Sequence, residues 1–321
     1  MTANSVLKTS DGGNSWKILA PTNSPAGTVG APDFMNAQYA WVAIPPDMSA
    51  AQSTRGIGIL YTTDGGVQWR RSTIPDSNAV GTFMPQFINA QDGWLEVSTG
   101  AAAGSESVDI FATTDGGQSW TKVASAAPQS SSGLPLNGHK TGLSFANAST
   151  GWATGGSAAT DASWLYKTQD GGKTWRSQSL PTIKGLSNAT YNTTPPVLFG
   201  ANGVLPVYVN TANVHGVDLY VTHDGGTTWT PTTLNNFSAY SVYTLDMLHT
   251  WVHGDRTFSA TSNGGQSWTT LGATQNAASG MSFVDTSNGW AINDPVNKMA
   301  TLFHTTDGGK TWQEISYSIN A

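Results

Sequence analysis

The chain has 321 residues, 14 Lys+Arg against 20 Asp+Glu for a net charge of −6, no Cys, 36 Gly and 13 Trp. Zero Cys excludes disulfides, thiolate metal sites and a Cys nucleophile, and the absence of any basic block excludes the footprint of a nucleic-acid binder. No apolar run approaches the roughly 18 residues that a membrane span needs, and the stretch from Lys8 to Trp16 is too polar for a signal peptide. Large charge-poor chains rich in Gly, Thr, Ser and Trp point to an all-β fold.

Taken in chain order, one string recurs seven times. It opens as Thr9-Ser-Asp11-Gly-Gly-Asn-Ser-Trp16 and returns around Asp64, Asp115, Asp170, Asp224, Asn263 and Asp307. The central positions lie 53, 51, 55, 54, 39 and 44 residues apart, a period that marks one supersecondary unit per repeat. Between successive strings lies a second signal: Phe34…Trp41, Phe87…Gly93-Trp94, Phe145…Gly151-Trp152, Phe199…Gly203-Val204, Leu245…Trp251 and Phe283…Gly289-Trp290. Together the two account for every Trp except Trp164, so most indoles are framework. An alternating run such as Ile57-Gly-Ile-Leu-Tyr61 predicts a strand. The Asp-Gly-Gly that follows predicts a hairpin turn, its glycines free to take positive φ. A lone hairpin is marginal, so seven must pack on one another, which predicts a closed ring of small sheets.

The pattern Ser/Thr-x-Asp-x-Gly-x-Ser/Thr-Trp resembles the Asp-box, or BNR, repeat. With its Gly-Trp partner string it is similar to the Ycf48-like photosystem II assembly factors within the sialidase-like propeller superfamily, over nearly the whole chain. The resemblance implies a β-propeller of four-stranded antiparallel blades, with ligands at the mouth opposite the boxes. The expectation is an all-β, seven-bladed propeller as one domain over residues 1–321, its first blade incomplete; the alternative is six blades plus an extra hairpin capping the ring. The first hairpin has no strand pair before it, so a native segment is expected to precede residue 1.

With strands A to D in each blade, A–B loops and boxes share one end, and D–A and B–C loops share the other. The loops at 44–56, 97–107, 123–141, 180–196 and 208–217 are long and dissimilar, the place where binding concentrates on a rigid scaffold. The box residues Asp11, Asp64, Asp115, Asp170, Asp224, Asn263 and Asp307 are read as turn builders; an Asn can accept turn hydrogen bonds but cannot serve as a general acid. Carboxylates and imidazoles that break the repeat are the catalytic candidates: Glu96 and His253 two residues after a strand-B Trp, Asp255 and Asp294 four after theirs, and Asp109 and Asp218 at equivalent strand-C positions. Arg55, Trp164, Tyr191 and Arg256 are the candidates for ligand contact. No metal and no cofactor is expected: a site at His253 and Asp255 needs ligands from other blades, His249 falls at the opposite end of the strand, and no Asp-x-Asp-x-Asp-Gly calcium loop is present. Five Arg, three of them directly after box Trp residues, are too few for a sialidase triad, and a nucleophile elbow is missing. The expected function is non-catalytic recognition of a protein or glycan by an extracytoplasmic, bacterial, monomeric propeller without nucleic-acid binding or membrane insertion. The alternatives are a carbohydrate-active enzyme with carboxylates or His at the same mouth, and a structural module of a larger protein.

Overall fold

The computed structural model describes residues 5–21, 31–159, 161–254, 257–273, 280–293, 300–316 and 318–320. Among them there is no α-helix; a single 3-10 turn spans Gln52–Thr54. The first hairpin pairs β1 (Ser5–Lys8) with β2 (Ser15–Pro21). Blade 1 comprises β3 (Ala31–Phe34), β4 (Ala40–Ile44), β5 (Ile57–Thr62) and β6 (Arg70–Ile74), hydrogen-bonded in that order from channel to rim. Blade 2 comprises β7 (Gly81–Thr82), β8 (Gln86–Phe87), β9 (Gly93–Ala102), β10 (Ser105–Thr113) and β11 (Thr121–Ala126). Blade 3 follows with β12 (His139–Phe145), β13 (Gly151–Gly156), β14 (Trp164–Thr168) and β15 (Arg176–Ser177). Blade 4 has β16 (Thr190–Thr193), β17 (Val197–Phe199), β18 (Asn202–Asn210), β19 (His215–Thr222) and β20 (Thr230–Pro231). Blade 5 has β21 (Ala239–Thr244), β22 (Thr250–Gly254), β23 (Thr257–Thr261) and β24 (Thr269–Ala273); blade 6 has β25 (Gly280–Phe283), β26 (Gly289–Asn293), β27 (Thr301–Thr305) and β28 (Gln313–Ile315).

Blades 2 and 4 count five strands only because their inner strand is broken in two, both halves pairing with the same neighbour. Pro85 in one break and Pro195 and Pro196 in the other have no N–H to give the ladder. The expectation of seven four-stranded blades is corrected to six. Among the described residues the first hairpin has no inner pair of strands; its sheet gains a third strand from the other end of the chain, β29 (Ser318–Asn320), which runs parallel to β2 with Trp16 opposite Ile319. Nothing in the repeat pattern marks this strand, because it lies beyond the last box.

Each box is a closed hydrogen-bond circuit. In blade 2, Thr113 Oγ1 donates to Asp115 Oδ1 (2.8 Å) and accepts from Gly117 N (3.0 Å). Asp115 Oδ1 accepts from Ser119 N (2.9 Å), and Ser119 Oγ donates to Oδ2 (2.6 Å). Gly116 and Gly117 take φ of 74° and 89°, a region open to glycine at little cost. Asn263 runs the same circuit with one bond reversed: its Nδ2 donates to Ser267 Oγ at 2.8 Å.

The blades are joined by aromatic seams. The strand-B indole of one blade lies flat on the strand-A phenyl of the next: Trp41 on Phe87 at 3.7 Å, Trp94 on Phe145 at 3.7 Å, Trp251 on Phe283 at 3.8 Å. The box Trp of that next blade meets the phenyl edge-on. The same strand-B indoles donate to the first box glycine of the next blade: Trp41 to Gly116 O (2.8 Å), Trp94 to Gly171 O (3.0 Å) and Trp251 to Gly308 O (2.8 Å). Trp152 reaches its neighbour through a relay, donating to Gln178 Oε1 while Gln178 Nε2 donates to Gly226 O. The glycines before Trp94 and Trp152 have a steric cause within their own blades: a Cβ at Gly93 would stand 2.5 Å from the Phe87 ring, and one at Gly151 2.5 Å from the Phe145 ring. Trp41, Phe87, Leu95 and Ile59 accordingly share one buried cluster across blades 1 and 2.

Candidate functional site

The two ends of the ring differ in how tightly they are tied. At the box end, the N–H of the first box glycine donates to an A–B loop carbonyl in each complete blade, as in Gly116 to Gln91 (2.9 Å) and Gly308 to Ser287 (2.8 Å). Both loop types there are short and pinned. The opposite end carries the long connections at 45–56, 127–138 and 178–189; the expected long loops at 97–107 and 208–217 are instead extended strands joined by short turns at 103–104 and 211–214.

Between the ends runs a central channel of about 890 Å³, walled by the inner strands of blades 2, 3 and 4 with Ala31 of blade 1 and Val242 and Thr244 of blade 5. Thr82, Gln86, Thr141, Ser144, Thr194 and Thr244 give it a polar side; Phe83, Met84, Leu143, Val197 and four prolines give it an apolar one. None of its described lining residues carries an ionisable side chain. Several polar groups are already committed to holding blades together: Gln86 Oε1 accepts from Phe145 N (2.8 Å), Ser144 Oγ donates to Pro196 O (2.7 Å) and Thr141 Oγ1 donates to Thr193 O (2.7 Å). Asp33 does the same from blade 1, accepting from Phe87 N (2.7 Å), and burial pushes its carboxyl up.

Glu96, Asp109 and Asp218, the described carboxylates that break the repeat, do not line this channel. Position two after the strand-B Trp is buried in Ala43, Glu96, Thr154 and His253, whereas Ile292 of blade 6 is exposed. Glu96 is 1% exposed, with Oε2 unpartnered. Burial first, and Glu106 second, push its carboxyl up to about 8. Its partner in charge is Lys140, a buried lysine from blade 3 that the sequence did not single out. Lys140 Nζ donates to five carbonyls, those of Glu106 (2.7 Å), Pro135 (3.0 Å), Leu136 (3.0 Å), Asn137 (3.3 Å) and Gly138 (3.1 Å). The same ammonium sits 5.0 Å over the Trp164 ring, whose Nε1 donates to Asn137 O. Burial pulls the ammonium below its ordinary range; Glu96 and Glu106 pull it back. The unit locks the long 127–138 loop onto blades 2 and 3, and Trp164 is spent in it.

Asp109 and Asp218 occupy matching strand-C positions and are both buried, each bonded to the outer part of its own blade. Asp109 pairs with Lys122 at 2.6 Å and accepts from Ser125 Oγ. Beside it lies Asp76, whose carboxyl is pushed up by burial and then by Asp109. Asp218 Oδ1 accepts from Thr232 N and Oγ1, both at 3.0 Å, while Oδ2 is buried without a partner, and burial pushes this carboxyl up too. His253 is fully buried against Phe258 at 4.6 Å, and His249 pairs with Asp246 (2.9 Å) in an A–B loop at the far end. The guanidinium of Arg55 donates to Ala50 O and Met48 O within its own loop, and the Tyr191 hydroxyl accepts from Ile183 N in the core of blade 4. Asp255, Arg256 and Asp294 lie outside the described residues. Among the described residues, no group of three His, Cys, Asp or Glu could hold a metal ion.

Glu106, Asp76 and Lys140 went unnoticed in the sequence because none holds a repeated position. Lys140 left one trace, a charge inside an otherwise uncharged inner strand.

The BNR/Asp-box repeat family model matches residues 220–231 and 303–314, the boxes of blades 4 and 6. No curated protein matches the chain in sequence. Its fold is similar to that of YCF48 bound to D1 peptide, with 16% identity, a TM-score of 0.57 and coverage of 91% of this chain and 83% of that one. It is also similar to ulvan lyase, a polysaccharide lyase, bound to a GlcA–Rha3S saccharide (12% identity, TM-score 0.54, 89% and 81% coverage). A third is Penicillium chrysogenum α-L-arabinanase complexed with arabinobiose (13% identity, TM-score 0.53, 88% and 96% coverage). At these identities the likeness is one of fold: a propeller carrying BNR/Asp-box repeats.

Proposed function

We propose that the chain is a non-catalytic binding or scaffolding propeller, one domain over 1–321, that takes an uncharged protein segment or glycan at its loop-rich end and in the adjoining channel. It acts as a monomer in an extracytoplasmic compartment of a bacterium, without nucleic acid or cofactor. The observation that carries this reading is the channel lining: hydroxyls, an amide and apolar side chains, with no ionisable group among the described residues, while Glu96, Asp109 and Asp218 are buried away from it. A cavity of this size with a few fixed polar groups suits a ligand held by hydrogen bonds and apolar contact. Among the structural neighbours, one was solved with a peptide and two with saccharides, and both ligand classes stay within the proposal.

The test is a binding screen of peptides and of neutral and acidic oligosaccharides, repeated with Met84→Arg, which puts charge on an exposed channel residue, and with Glu96→Gln. Binding of a neutral ligand that Met84→Arg weakens at least tenfold and Glu96→Gln leaves intact bears the proposal out. A ligand indifferent to Met84→Arg sinks it. A second reading, a carbohydrate-active enzyme, draws on one observation: Glu96 is kept protonated to about 8, the state a general acid needs. Asp109, Asp218, His253, Asp255 and Asp294 are the other groups such a reading could use. Turnover of a glycan abolished by Glu96→Gln establishes it.

A further inference from the structure

The first sheet lacks what every complete blade has, and the repeat itself describes the missing part. In the ladder of a complete blade, strand C pairs with strand B on its channel side; β1 stands in the strand-C place and pairs only with β2 among the described residues. Its channel-side edge is an open row of backbone donors and acceptors. The junction with blade 1 is likewise unfilled. At three other junctions the strand-A phenyl is covered by an incoming indole, leaving Phe87 7%, Phe145 3% and Phe283 1% exposed; Phe34, which holds the same place in blade 1, is 59% exposed. Where those junctions have an indole N–H on the first box glycine, Gly65 O receives only the side chain of exposed Lys8, at 3.2 Å. Between them lies a cleft of about 150 Å³, bounded by Val6, Lys8, Leu19, Phe34, Gly65 and Trp69. That is the volume of an apolar cavity that accepts a benzene ring.

We infer that this junction is a docking site for an extended strand of a partner polypeptide bearing a Trp. The strand adds to the open edge of β1, and its indole lies on Phe34 and donates to Gly65 O in place of Lys8. The surface is continuous with the inter-blade interface already described, and the chain fills the equivalent seat with its own Trp41, Trp94 and Trp251. Strand addition of this kind takes affinity from main-chain hydrogen bonds and specificity from the side-chain seat. The site is at the box end and does not depend on the channel reading above.

The probe is a labelled peptide copying this chain's own residues 91–99, followed by fluorescence anisotropy against the full chain, with a Trp-to-Ala peptide as control. Expected are saturable binding, at least a tenfold loss with the Ala peptide, at least a tenfold loss for Phe34→Ala and no loss for Lys8→Ala. Phe34 is exposed, so its removal leaves the fold standing, which far-ultraviolet circular dichroism checks. No binding, equal binding of the two peptides, or indifference to Phe34→Ala overturns the inference. Sedimentation of the chain alone provides a further arm: self-association that the peptide does not displace assigns the edge to a second copy and overturns it as well.

Discussion

At the scale of single residues, the recurring acid of the box acts as a turn builder. Hydrogen bonds from the neighbouring hydroxyl and N–H hold the carboxyls of Asp11 and Asp307 down to about 2, well below the ordinary aspartate range. A depressed folded-state value means that the stabilisation is complete above the unfolded value near 4 and disappears as pH falls through about 2. Asp115→Ala removes the circuit and is expected to cost about 1–2 kcal/mol in chemical denaturation, whereas Asp115→Asn costs far less, as Asn263 indicates. Glu96 behaves in the opposite sense. Its folded-state value of about 8 stands above the ordinary glutamate value of 4.5, so its contribution is complete below about 4.5 and is lost as pH climbs to about 8. Replacing it with Gln should flatten the fall in thermal midpoint over that interval; a variant whose pH profile matches the parent assigns the slope elsewhere. The sequence marked Glu96, Asp109 and Asp218 as breaks in a pattern but could not tell which way they faced. In a strand, successive side chains alternate faces, and which face meets the neighbouring blade is settled only by how the ring closes. Lys140 was illegible for a related reason: its five acceptors are backbone carbonyls, supplied by the path of a loop and not by any residue type.

At the scale of elements, the seam between blades is the unit that holds the ring. Trp94 combines a flat stack on Phe145, a hydrogen bond to Gly171 O and near-complete burial. Trp94→Ala is therefore expected to cost roughly 3–5 kcal/mol, the range for emptying a large aromatic site. Trp290 points at the first sheet, where the acceptor Gly12 O is 3.4 Å away and its stacking partner is His304 within its own blade. Trp290→Ala should cost less than half as much, and equal costs in urea titrations would contradict the idea that phenyl stacking across blades sets the seam's strength. Gly93→Ala tests the neighbouring seam, since the added methyl would stand 2.5 Å from the Phe87 ring that Trp41 covers.

At the scale of the whole molecule, the uncharged channel predicts that binding there changes little between low and high ionic strength, because screening acts on charge pairs; a steep salt dependence measured by calorimetry would place the ligand elsewhere. The propeller was legible because turn chemistry, strand alternation and indole spacing repeat together. The blade count was not, because a hairpin that begins a blade and a hairpin that lacks half of one read alike, and β29 joins its sheet through a parallel pairing between opposite ends of the chain. The rim strands have a further consequence. β15 and β20 are two residues long and β28 is three, and Pro231 sits within β20. Such short borders at blades 3, 4 and 6 give a passing chain little to template on, so fibril growth from the circumference should be confined to the longer rim strands β6, β11 and β24.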